Sequence, residues 1–230
     1  MESKTIYIPE TYADITLDQL QRIRRLEGDE EFVTIKTIEI LCGVRGDEIL
    51  RMKVSDRVMI ISAITEALSH EPSKLVKRLT HNGVEYGFHP SLEDMSYGEF
   101  VDLKTYESDF DKIHLLMSIL YRPIKEKHGN TYTIEPYKGT SDALKDMPSD
   151  IALGAMVFFY ALAKECAQSS LNYLMGGVEV RNKTNSPTNG DGIQQRQVSL
   201  MMTLRALEKS LIFQPHNALQ NWHTKLINMN

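Results

Sequence analysis

Thirteen apolar residues in succession, Ile151 to Ala163, constrain this chain more than any other feature. A helix needs about 20 such residues to cross a bilayer. The run therefore reads as a helix buried on most sides in a protein core. Pro148 stands before Ser149 and Asp150 after it, which places the cap at Ser149 and predicts a helix over about 149–175. Beyond Gly176-Gly177, the stretch Arg181 to Gly192 is rich in Asn, Thr, Gly, Ser and Pro and cannot build a core. The chain divides accordingly into a body, 1–176, a flexible linker, 177–192, and a C-terminal helical arm, 193–230.

In the arm, Leu200, Leu204, Leu207 and Leu211 are spaced by 4, 3 and 4, a short heptad-like seam and a candidate interface. The seam covers under two heptads, so it suits a helix folded back on its own body as well as one packed on a neighbouring subunit. Pro215 ends it, and Leu219, Trp222 and Leu226 continue as a last helix.

The body reads as mainly α. Thr16 with Gln19 has the capping-box form and opens a helix running to Gly28. Phe32, Ile35, Ile38 and Leu41 follow at helical spacing up to Gly43, and Ser55 caps a third helix striped by Ile60, Ile61, Ile64, Ala67 and Leu68, ended by Pro72. Leu75–Thr80 and Val84–Phe88 flank His81-Asn82-Gly83, the signal of a small β-hairpin. Ser96 with Glu99 is a second capping box, and Phe110 to Leu120 form an amphipathic helix that Pro123 stops. Thr131–Tyr137 reads as an isolated strand, which Pro136 puts at an edge or in a loop.

With 42% hydrophobic and 25% charged residues, the 230-residue chain sits at globular averages, which excludes wholesale disorder and collagen-like repetition. The net charge is −5, so no overall basic footprint for nucleic acid exists. Residues 177–230 hold six basic and three acidic side chains, a net of +3, leaving −8 on residues 1–176. Cys42 and Cys166 are too far apart for a redox or metal motif, and Met1-Glu2-Ser3-Lys4 lacks the apolar core of a secretion signal, which together favour a reducing compartment such as a cytoplasm.

Phosphate loops, dinucleotide fingerprints, H-E-x-x-H, C-x-x-C and G-x-S-x-G are all absent. His81, His89 and His114 would need to converge with a carboxylate to hold a metal, and each has an ordinary explanation. Glu99 and Asp102 share a helical face and, with Glu93 or Asp94, have the composition of an acid–base pair, but Glu99 already serves as the box partner of Ser96. Lys74, Lys77 and Arg78 followed by Tyr86 and Phe88 combine base and aromatic as single-strand binders do; hairpin alternation would turn the aromatics into the core. No catalytic residue, cofactor or metal is therefore assigned, and contact with nucleic acid stays open.

Tyr86-Gly87-Phe88-His89-Pro90, Gly98-Glu99-Phe100-Val101-Asp102-Leu103, Leu120-Tyr121-Arg122-Pro123-Ile124 and Ile134-Glu135-Pro136-Tyr137, followed by Phe158-Phe159, give residues 75 to 165 a motif order that resembles small virion proteins of tailed bacteriophages, especially those similar to the crAss-like phages of Bacteroidetes. The resemblance transfers no functional residue. It implies a non-enzymatic tail or ring component, or a protein packaged in the particle, present in the virion and in the host cytoplasm during assembly. An assembly chaperone is the alternative, and a nucleic-acid-processing or hydrolytic enzyme of unrecognised type a further one. The implied partners are other phage structural proteins, portal, ring or tail components, and further copies of the chain in a homo-oligomer, with no membrane. In physical terms, Gly87 and Gly98 permit a turn or close backbone approach, Arg122 can bond the last carbonyls of a helix, and Phe158-Phe159 fill a core or an interface.

Overall fold

The computed structural model describes residues 5–162 apart from 108 and 160, and the linker, the arm and the second half of the long apolar helix lie outside the described residues. Among the described residues, seven α-helices and one four-stranded sheet follow in the order α1 (Leu17–Arg24), α2 (Glu30–Cys42), α3 (Gly46–Ile49), α4 (Val54–Ala67), β1 (Arg78–His81), β2 (Val84–Phe88), α5 (Tyr97–Tyr106), α6 (Ile113–Leu120), β3 (Tyr121–His128), β4 (Thr131–Ile134) and α7 (149–159).

The expected mainly α body with a hairpin insertion is corrected by this order. The fold is mixed α/β, because the hairpin is half of an antiparallel sheet in the order β1-β2-β3-β4. Asn82 at φ 49° and Gly83 at φ 76° turn the first hairpin, with Leu79 opposite Tyr86 and Thr80 opposite Glu85. Pro123 does not merely stop α6. The chain passes from Leu120 directly into β3, and Pro123 lies within that strand opposite Tyr86, where its carbonyl accepts from the Glu135 amide. Thr131–Ile134 is correspondingly no isolated strand, since it pairs with β3 across a register shift between Ile124 and Glu126.

Local signals hold at several helix ends. Thr16 and Gln19, and Ser96 and Glu99, form the reciprocal bonds of capping boxes, and Gly43 at φ 66° ends α2. Two caps differ from expectation. Lys53 precedes α4 and Ser55 lies inside it, bonding only Asp56. Ser149 is fully buried and donates its hydroxyl to the Tyr12 carbonyl, so it ties α7 to the N-terminus instead of capping. The same junction is laced by the amides of Leu17 and Ser149, which donate to the carbonyls of Met147 and Ile15.

Two apolar clusters meet on α7. One gathers Leu20, Ile23, Ile38, Leu41, Ile60 and Ile64 from α1, α2 and α4; the other gathers Tyr86, Phe88, Leu103, Met117, Leu120 and Tyr121 from the sheet, α5 and α6. Leu153 faces the first, and Ala152 and Ala155 the second. Burial of α7 is therefore two-sided and not all round, since Val157 is half exposed. Phe158 and Phe159 pack around Phe88, the former edge-on at 5.8 Å between centroids.

Close approach of α7 depends on Gly154. A Cβ built there would lie 2.2 Å from the Ser73 carbonyl oxygen, a backbone atom that cannot swing aside. Gly154→Ala is expected to lower stability by about 1–3 kcal/mol, the usual cost of overpacking, measured as a shift of the urea midpoint at unchanged slope. Among the described residues no helix is long and apolar enough to cross a membrane.

Candidate functional site

A buried polar cluster lies where α5 meets the sheet. The Ser96 box fixes the start of α5 and turns Glu99 inward, β2 delivers His89 at its exit, and β3 delivers Arg122 at its start. Arg122 Nη2 stands 2.6 Å from Glu99 Oε1, with only 10% and 4% of the two side chains exposed, and His89 Nε2 lies 3.5 Å from the same oxygen. Glu99 Oε2 accepts the Ser96 amide at 2.6 Å. The contact to Arg122 is ionic and off-axis, so neither Glu99 Oε1 nor Arg122 Nε has a well-aligned hydrogen bond. Tyr137 completes the group: its hydroxyl donates to Asp102, and its ring lies 5.9 Å from the Arg122 guanidinium.

Electrostatics make this cluster internally neutral. Burial pushes the Glu99 carboxyl up, but the Ser96 bonds and the charge of Arg122 outweigh it and hold the group below the ordinary carboxylate range. Burial, assisted by Arg122, lowers His89 against the pull of Glu99 and leaves the imidazole neutral at pH 7. A carboxylate paired with a guanidinium beside a neutral imidazole suits a clamp between helix and sheet. Acid–base work would ask instead for a carboxyl with a raised pKa and open access.

A carboxyl with a raised pKa but without open access exists elsewhere. Glu107, at the C-terminal end of α5, is 7% exposed and faces a cavity of about 20 Å³ lined by Leu103, Leu116, Met117, Leu120, Met156 and Phe159. Burial pushes it up to about 7, opposed only by Lys104, and its Oε2 has no hydrogen-bond partner. The space holds about one water and no substrate.

The remaining sequence candidates disperse. His114 bonds Gln21 and faces Asp142, and His81 contacts Asn82, so the three histidines do not converge. Burial of His114 lowers its pKa in spite of Asp142. Among the described residues no group of three or more His, Cys, Asp or Glu side chains is placed to hold a metal ion. Tyr86 and Phe88 are buried while Lys74, Lys77 and Arg78 are exposed, so these two aromatics form no platform beside the basic cluster. Cys42 is half-buried, and burial pushes its thiol up to about 11, which leaves it a weak nucleophile. Gly87 does serve close approach, because the Tyr132 ring occupies the space of its missing Cβ; nothing lies near that of Gly98.

Sequence reasoning missed Arg122 and Glu107 as buried charges. Arg122 was expected at carbonyls closing a helix, whereas its partner is 23 positions away on α5. The signal for Glu107 was its position: Glu99, Leu103 and Glu107 recur every fourth residue and share one inward face.

The opposite feature, apolar side chains in water, marks α4 and the residue that follows α3. Leu50, Val54, Val58 and Met59 are 68%, 79%, 54% and 70% exposed. The leucine seam at Leu200, Leu204, Leu207 and Leu211 lies outside the described residues. Compared with protein-family models, with curated proteins and with solved structures, the chain matches none.

Proposed function

We propose that this chain is a non-enzymatic bacteriophage virion protein, a tail or ring component or a protein packaged in the particle, that acts through contacts with other structural proteins and with its own copies. The observation that carries this reading is the exposed apolar group of Leu50 and the α4 residues Val54, Val58 and Met59, of a kind that protein interfaces commonly use. The motif order along residues 75–165 supplies the phage assignment. The internal use of charge supports it as well: Glu99 pairs with Arg122, and His89 stands against the same oxygen, between helix and sheet.

Mass spectrometry of purified particles tests the proposal. Stoichiometric recovery of the chain is the expected result. Abundance in infected cells with loss from finished particles would overturn it in favour of an assembly chaperone.

A further inference from the structure

We propose that the outer face of α4 is a self-association surface on which α4 of a second copy lies antiparallel. This deepens the protein-contact reading above and rests on it. Val54, Val58 and Met59 project from that face, with Leu50 at its N-terminal rim. Between them lie the exposed, small Ser55 and Ser62, which leave room for a second helix to approach. The buried side of α4 is already taken by Ile60, Ile64 and Ala67, so the helix is amphipathic in the unusual sense of having apolar groups on both sides.

Charge selects the occupant and its direction. Just ahead of α4, Arg51 and Lys53 are exposed, Asp56 is exposed in its first turn, and Arg51 makes a long 3.9 Å contact to Asp47. The C-terminal end carries exposed Glu66. A two-fold axis between Val58 and Met59 sets Val58 against Met59 of the second copy, Ser55 against Ser62, and Arg51 against Glu66, each twice. Antiparallel helix dipoles add to this complementarity, and the pairing is isologous as closed dimers require. The chain's own segment 193–230 fits less well, since it is basic, with Arg196, Arg205, Lys209 and Lys225 against Glu208, and would meet Arg51 and Lys53.

One helix face against another buries less than the roughly 1,200 Å² of stable complexes. The dimer is therefore weak and concentration-dependent in solution, and effective in a particle only through repetition.

Sedimentation velocity of the full chain over a concentration series reads this directly, separately from any presence in particles. A reversible monomer–dimer equilibrium is expected. Val58→Asp should weaken it about tenfold or more, and Arg51→Glu should also weaken it, while thermal unfolding of each variant stays unchanged because both side chains are exposed. The double variant Arg51→Glu, Glu66→Arg should restore the dimer, since the pair is exchanged across the axis. A strictly monomeric chain overturns the proposal. So does association that survives Val58→Asp, which would assign the contact elsewhere, the Leu200–Leu211 seam included. If dimers form as described but particles lack the chain, the virion reading fails and the surface stands.

Discussion

Replacing Arg122 with Met is expected to cost about 3–5 kcal/mol of folding stability, the loss typical when one partner of a buried ion pair is removed. Glu99 would keep its Ser96 bonds but lose the cation 2.6 Å away in a site where only 4% of its side chain meets water. The variant should also acquire a pH dependence. Arg122 is one cause of the lowered pKa of His89, so its removal lets that pKa rise toward the demand of Glu99. A histidine whose folded pKa is raised stabilises the protein at low pH, and that stabilisation is lost as pH rises through the folded value. The deficit of Arg122→Met, measured by urea unfolding, should accordingly be smaller at pH 5 than at pH 8. Removing both charges with Glu99→Gln, Arg122→Met should recover much of the loss, because Gln can still bond the Ser96 amide in the box. A deficit below about 1 kcal/mol in the single variant would show that water reaches Glu99 and that the cluster is no dry clamp.

That cluster also shows where sequence stops being informative. Capping boxes at Thr16 and Ser96, the Asn82-Gly83 turn and the Gly43 helix end are set by hydrogen bonds or backbone strain within four residues, so they are legible in a single chain and the structure bears them out. Strand β3 was illegible for two reasons. Pro123 lacks an amide and reads as a breaker, and the alternation that marks a strand is missing, since Tyr121 and Arg122 are both buried while Lys125 to His128 are all exposed. Without β3 the sheet cannot close between β2 and β4, and a mixed fold is mistaken for a helical one. The ion pair of Glu99 and Arg122 followed the same fate, because it exists only once β3 lies beside α5. The exposed face of α4 was missed differently: Ile60, Ile61 and Ile64 gave a stripe that explained the helix, and nothing in the sequence sets the exposed Val54, Val58 and Met59 apart from core residues.

Replacing Glu107 with Gln should abolish a slope in the stability of the protein between about pH 4.5 and pH 7. The carboxyl is raised from 4.5 to about 7 by burial among Leu103, Leu116, Met117, Leu120, Met156 and Phe159. Between those limits the folded chain binds the proton and the unfolded chain does not, so stability falls as pH rises, by about 3 kcal/mol in all. Below the range both states are protonated and the contribution is complete; above it both are ionised and the loss is flat. The charges facing the group are few: Lys104 on α5 opposes the shift, and the α6 and α7 side chains lining the cavity, Leu116, Met117, Leu120, Met156 and Phe159, bear none. Glu107→Gln has nearly the same volume and stays neutral, so it should match the parent at pH 4 and exceed it at pH 8. The parent at high pH must place a carboxylate where Oε2 has no partner, and the cavity has room for the single water that would relieve it. Hydrogen exchange at the amides of Leu116, Met117 and Leu120 should therefore quicken above pH 7 in the parent, beyond the ordinary base dependence, and not in the variant. Equal stability curves for the two proteins across this range would mean that Glu107 titrates as an ordinary surface carboxylate and that the packing of α5 and α6 is open to solvent.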